Sequence, residues 1–83
     1  MKIISWNVNG IRAVYKKDFL GWFKNSGADI ICVQETKAQR DQFPKELLEI
    51  EGYGLYSSSA QRKGYSGTAV WTKIKPKAFY YGV

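Results

Sequence analysis

The chain has 83 residues, room for one small domain, and its apolar (45%) and charged (24%) shares are those of a globular chain rather than a disordered one. Thirteen Lys and Arg against seven Asp and Glu leave a net charge of +6, which points to an anionic partner such as nucleic acid or an acidic membrane surface. There is no histidine, so a histidine-based triad or zinc site is excluded, and the single Cys32 excludes a disulfide framework and suits a reducing cytoplasm. No apolar stretch reaches the roughly 18 residues of a membrane span, and no secretory signal is visible at the N-terminus. The expected location is cytoplasmic, with no membrane partner.

Residues Lys2 to Val8 read as a strand, apolar with β-branched and aromatic members, and Asn9-Gly10 follows as a turn signal. Ile11, Tyr15, Phe19, Trp22 and Phe23 then recur at helical spacing, with Lys16, Lys17, Asp18 and Lys24 on the other face. This predicts one amphipathic helix from about Arg12 to Asn25, with Gly27 placed for a left-handed C-terminal cap. Ile30 to Gln34 is a second strand, apolar on both faces, as in a sheet covered on both sides. Strand, helix, strand in that order implies a crossover with the two strands parallel. Beyond the polar stretch Thr36 to Gln42, Pro44 suits a first helical turn, and Glu46 to Ile50 form a short helix stopped by Gly52. Tyr53 to Ser59 and Thr68 to Ile74 read as two further strands. The gap between them is too long for a tight hairpin and implies a projecting basic loop. After Lys75-Pro76-Lys77, residues Phe79 to Val83 begin another strand-like run.

Glu35 stands at the end of the second strand, where parallel sheets place their ligands. A carboxylate there suits Mg²⁺ or Mn²⁺, which take one or two carboxylates together with water and phosphate; a solvated carboxylate at a strand exit is the competing reading. Asn7 and Asn9 flank Val8 and would point the same way in an extended strand. Either can orient a carboxylate or bind a phosphate oxygen, although for Asn9 the turn chemistry of Asn-Gly is the simpler explanation. Arg12 and Lys37 follow the two strand ends and could reach a phosphate, or be ordinary surface charge. In the loop, Arg62, Lys63, Gly64 and Tyr65 combine two cations, a backbone that lets a partner approach and an aromatic that can stack, against the plainer reading of a solvated hairpin. Cys32 reads as a small buried hydrophobe.

Three stretches carry a resemblance. Ser5-Trp6-Asn7-Val8-Asn9-Gly10-Ile11-Arg12-Ala13, Val33-Gln34-Glu35-Thr36-Lys37 and Lys63-Gly64-Tyr65-Ser66-Gly67-Thr68-Ala69 resemble, in order and spacing, successive motifs of the exonuclease III family of abasic-site endonucleases, within the endonuclease/exonuclease/phosphatase superfamily. The resemblance covers essentially the whole chain. It implies an α/β fold, the N-terminal part of a four-layer α/β sandwich with a mixed sheet and outer helices, incomplete in this chain, so that 1–83 is the N-terminal segment of such a domain. It further implies a DNA-repair hydrolase that cuts 5′ to abasic sites and removes nucleotides from 3′ ends, with Mg²⁺ or Mn²⁺ as cofactor. On that basis Glu35 and Asn7 are the catalytic and metal-site residues, Glu35 as ligand and Asn7 in its hydrogen-bond network. Arg12, Lys37, Arg62, Lys63, Gly64 and Tyr65 would face DNA.

The family's catalytic tyrosine, its Asp-x-Asn pair and its Asp-His would all lie beyond position 83. The chain alone is therefore expected to be inactive, and to self-associate or pair with a missing C-terminal segment through an inner sheet face carrying Trp6, Val70 or Trp71, whichever parity points inward. Three other readings compete: a lipid or small-molecule phosphatase or phosphodiesterase of the same superfamily, a non-catalytic basic DNA-binding module, and a piece with no independent role.

Overall fold

The computed structural model describes residues 1–59 and 67–74. Strand β1 (Ile3–Asn7) leads through helices α1 (Ile11–Tyr15) and α2 (Phe19–Asn25) to strand β2 (Ile30–Gln34). A single turn at Arg40–Gln42 and helix α3 (Lys45–Leu48) precede strands β3 (Gly54–Ser59) and β4 (Gly67–Thr72). The strands form one mixed sheet in the order β1-β2-β4-β3, with β1 and β2 parallel and the β2–β4 and β3–β4 pairs antiparallel. The expected parallel crossover is present, and β2 occupies the residues predicted for it. The strand-like run expected at Phe79–Val83 lies outside the described residues.

The single helix expected over 12–25 is instead two short helices, and the physical reason is Asp18. Its backbone is left-handed (φ 64°), which no helix interior accommodates, and its carboxylate accepts the Gly21 N–H at 3.2 Å as the cap of α2. A Cβ on residue 21 would lie 2.5 Å from Asp18 Oδ2, so the glycine is what lets the carboxylate close over the helix start. The apolar periodicity survives the break because both helices bury the same stripe, Ile11 and Val14 from one, Phe19 and Phe23 from the other. An Asp18→Ala substitution is expected to lower unfolding stability by about 1–2 kcal/mol, and Asp18→Asn, which can still accept the bond, by clearly less. Urea denaturation followed by far-UV circular dichroism checks this; equal midpoints for the two variants would show that the cap contributes nothing.

Gly27 is left-handed (φ 66°) just past α2, as the sequence predicts. Pro44 lies one position earlier than expected, as the cap of α3, and the helix ends at Leu48 because Glu49 has left the helical conformation (φ −134°, ψ 79°). The Tyr15 hydroxyl donates to Glu46 Oε2 at 2.7 Å, tying α1 to α3. That bond holds the Glu46 carboxyl below its ordinary range and pushes the Tyr15 phenol up.

Strand register sorts the side chains. Ile4, Ile31, Trp71 and Leu55 are paired across the sheet, as are Trp6, Val33, Ala69 and Ser57, and these two rows face the helices. Trp71, Ile31 and Val33 are fully buried there, against Phe19, Phe23 and Leu47. Trp6 is on the same side at the sheet margin, 5.9 Å from the Phe19 ring and 4.9 Å from that of Trp22. The opposite face carries Ile3, Cys32, Val70 and Tyr56; Ile3 is 59% exposed and Cys32 only half-buried. Of the three inner-face candidates it is therefore Val70 that points away from the helices. The cover on both faces inferred from the apolar run of β2 is present on one face among the described residues. Partial burial pushes the Cys32 thiol up from its ordinary value. No described helix is long and apolar enough to cross a membrane.

Candidate functional site

Parallel pairing of β1 with β2 brings their C-terminal ends, Asn7 and Gln34, to one edge of the sheet, and antiparallel β4 starts at that edge with Gly67. The ladder continues past the strands. Val8 N–H donates to Gln34 O (3.0 Å), Gly10 N–H to Glu35 O (2.8 Å) and Ile11 N–H to Thr36 O (2.9 Å). On the other side Thr36 N–H donates to Gly67 O at 3.1 Å. The segment Glu35-Thr36-Lys37 is thus gripped by backbone bonds from both sides, and the fully buried Thr36 anchors its centre.

This edge gathers most of the unusual backbone conformations among the described residues. Four described non-glycine residues have positive φ, and three of them are here: Asn9 (49°), Glu35 (56°) and Lys37 (54°). Asparagine accepts the left-handed region readily, whereas for Glu and Lys it is unfavourable by about 1–2 kcal/mol each. Such conformations persist where the surroundings over-determine them, and they cluster at functional sites. Here the over-determination is the pair of backbone grips around Thr36.

The side chains then interlock. Asn7 Nδ2 donates to Glu35 Oε2, and Asn7 Oδ1 accepts the Asn9 N–H at 3.1 Å. Lys37 Nζ donates to Asn9 Oδ1, and Arg12 donates to Lys37 O at 3.3 Å. Four residues singled out from the sequence, Asn7, Arg12, Glu35 and Lys37, therefore meet in one network. Asn9, read there mainly as a turn residue, joins them through its side chain. Next to them Gln34 Nε2 donates to Ser5 Oγ at 2.9 Å. Arg62, Lys63, Gly64 and Tyr65 lie outside the described residues; Ser59 and Gly67, which flank those positions in sequence, pair with each other at this same end of the sheet.

The donor set fits part of a divalent-cation site. Glu35 Oε2 is engaged by Asn7, which fixes the carboxylate and leaves Oε1 for a cation, and Asn7 Oδ1 keeps a second lone pair. Mg²⁺ is commonly held by one or two carboxylates, with water and phosphate completing its shell. No group of three His, Cys, Asp or Glu side chains able to hold a metal forms among the described residues, so no all-protein cage is built here. A separate groove of about 620 Å³, lined by Phe23, Glu46, Glu49, Tyr53 and Lys73 among others, contains none of the networked residues.

The sequence model of the Endonuclease/Exonuclease/phosphatase family matches residues 4–82. The chain belongs to that family. All of its length aligns with an exodeoxyribonuclease of Bacillus subtilis (strain 168), 54% identical over 84 residues that make up 32% of the relative. It also aligns throughout with a DNA-(apurinic or apyrimidinic site) endonuclease of Dictyostelium discoideum, 41% identical and covering 23% of it. Among solved structures, an AP endonuclease from Archaeoglobus fulgidus superposes with a TM-score of 0.76 at 32% identity, over 95% of this chain and 30% of that one. A Neisseria 3′ phosphatase, NExo, bound to a product DNA hairpin gives 0.79 at 30% identity, over 99% and 31%. This endonuclease/exonuclease/phosphatase chain thus spans about a third of the length of the Bacillus relative, and its mixed sheet with helices is the corresponding part of the fold in those structures.

Proposed function

We propose that the chain forms the metal-binding and phosphate-positioning part of a DNA-repair phosphodiesterase of the exonuclease III type, acting on duplex DNA at abasic sites and 3′ ends. The observation that carries this reading is the Asn7–Glu35 pair at the shared end of two parallel strands, with Lys37 and Arg12 beside it. Glu35 would hold the cation, and Asn7 would orient the carboxylate by donating to Oε2 and could offer its own oxygen. A bound Mg²⁺ would supply charge stabilisation on the phosphate oxygens. Lys37 and Arg12 would hold the DNA backbone in register. The loop residues Arg62, Lys63, Gly64 and Tyr65 would extend that contact.

Phosphodiester hydrolysis also needs an activated water and a stabilised leaving oxygen. The 83 residues include no histidine, and the 83-residue chain alone is expected to be inactive. A chimera tests the whole reading: residues 1–83 replace the 84 aligned residues of the Bacillus exodeoxyribonuclease. The chimera should cleave an abasic-site duplex in Mg²⁺ and stop when EDTA is added, and the 83-residue chain should not cleave. A folded chimera that binds the duplex without cutting it would favour a non-catalytic DNA-binding module instead, and turnover by the 83-residue chain near that of the chimera would overturn its expected inactivity.

A further inference from the structure

The edge network has a regularity that the proposed phosphodiesterase reading does not use. Asn7 and Asn9 are two residues apart, as are Glu35 and Lys37, and the two pairs are joined side chain to side chain where the β1 and β2 segments leave the sheet. Asn7 engages the carboxylate and Asn9 engages the ammonium. The two amides are joined, because Asn9 N–H donates to Asn7 Oδ1. Opposite charges two residues apart on one short segment attract each other and would otherwise close into an ion pair. Glu35 and Lys37 both have left-handed backbone, and each side chain meets its own asparagine rather than the other.

We propose that Asn9 is a positioning residue: with Asn7 it acts as a neutral spacer that keeps Glu35 and Lys37 from pairing, so that one edge offers a cation subsite at Glu35 and a distinct anion subsite, for a phosphate group, at Lys37. This rests on the functional reading above for the identity of the ligands. An amide suits the role because it accepts from the ammonium without cancelling its charge, whereas a carboxylate at position 9 would cancel it and add negative charge beside Glu35. Arg12, donating to the Lys37 carbonyl, fixes the backbone from which that ammonium projects and adds a second positive charge on the anion side.

Asn9→Asp is the decisive substitution. Asp tolerates the left-handed conformation as Asn does, so the turn is kept and only the charge changes. The ¹⁵N-labelled 83-residue chain is titrated separately with MnCl₂, read as line broadening, and with inorganic phosphate, read as amide shifts. In the parent, Mn²⁺ should broaden Asn7 and Glu35 signals and phosphate should move those of Lys37 and Arg12. In Asn9→Asp the two midpoints should shift in opposite directions, by about threefold or more, Mn²⁺ tightening and phosphate weakening. The charge-neutral Asn9→Gly, which also keeps the left-handed turn, separates this from a purely structural role: a turn residue alone leaves both midpoints unchanged there. In Asn9→Asp, both midpoints staying put, or moving the same way, overturns the proposal. If Asn9→Asp does not fold, Asn9→Gly takes its place: with the spacer gone both ligands should weaken by about twofold or more, and unchanged midpoints overturn the proposal. Glu35→Ala separates the two levels. If Mn²⁺ broadening survives that change, the cation assignment itself fails; if it is lost while Asn9→Asp has no effect, only the spacer role fails.

Discussion

Trp71→Ala is expected to leave the chain largely unfolded. Trp71 is fully buried at the centre of the sheet, in register with Ile31 and Leu55, with the Phe19 and Phe23 rings 5.8 and 5.6 Å away. Its indole N–H donates to the Leu47 carbonyl at 2.8 Å, which makes it the fastener between sheet and α3. Removing a buried tryptophan costs about 3–5 kcal/mol in lost transfer energy and residual cavity. An 83-residue domain has only about 4–12 kcal/mol of total stability, at roughly 0.05–0.15 kcal/mol per residue. The loss is therefore comparable to the whole at the lower end. Trp71→Phe is the milder test: it keeps a ring, strands the Leu47 carbonyl and leaves a smaller cavity, a loss of about 1–3 kcal/mol. Near-UV circular dichroism and urea melts should rank parent, Phe and Ala in that order. An Ala variant as stable as the parent would show that the core sits elsewhere.

Much of this architecture was legible in the residues because the signals were local. The β-branched run Ile30–Gln34 has one reading as a strand, and a helical stripe between two strands enforces a parallel crossover. The break at Asp18 was not legible in that way. Ile11, Tyr15, Phe19 and Phe23 keep helical spacing straight through it, and hydrophobic periodicity does not register a left-handed residue on the exposed face. The signal that could have found it is Asp18 three residues before Gly21, a capping spacing with a glycine where the carboxylate must fit.

At the site, Glu35, Asn7, Arg12 and Lys37 could be nominated because they follow strand ends. Asn9 was discounted because Asn-Gly also makes turns. Both statements hold, since Asn9 turns the chain with φ 49° and uses its side chain to accept from Lys37. Only the side-chain hydrogen bonds between the segments, Asn7 to Glu35 and Lys37 to Asn9, distinguish the two roles. The β3–β4 register brings Ser59 and Gly67 to this same end of the sheet, a placement that composition alone does not supply.

Glu35→Gln should remove catalysis and leave the fold alone. The amide keeps the shape of the side chain and an oxygen able to accept from Asn7 Nδ2, so the network and the left-handed backbone at position 35 persist. What disappears is the negative charge that would hold the cation. Charge stabilisation by a metal is worth several kcal/mol in a transition state, and about 4 kcal/mol corresponds to a loss of about a thousandfold in rate. In the Bacillus chimera, kcat/KM on an abasic-site duplex should fall by that order, while the melting temperature and DNA affinity measured without metal stay at the parent's values. Asn7→Ala should fall less, by about 10–100-fold, because it acts through the orientation of Glu35 and not as the charged ligand. Raising Mn²⁺ should recover part of the activity of Asn7→Ala, whose carboxylate is intact, and little of that of Glu35→Gln. Retention of activity by Glu35→Gln to within about tenfold of the parent would sink the assignment of this carboxylate to the metal. Equal losses in the two variants, with equal recovery by Mn²⁺, would remove the distinction between ligand and orienting partner on which the site's construction rests.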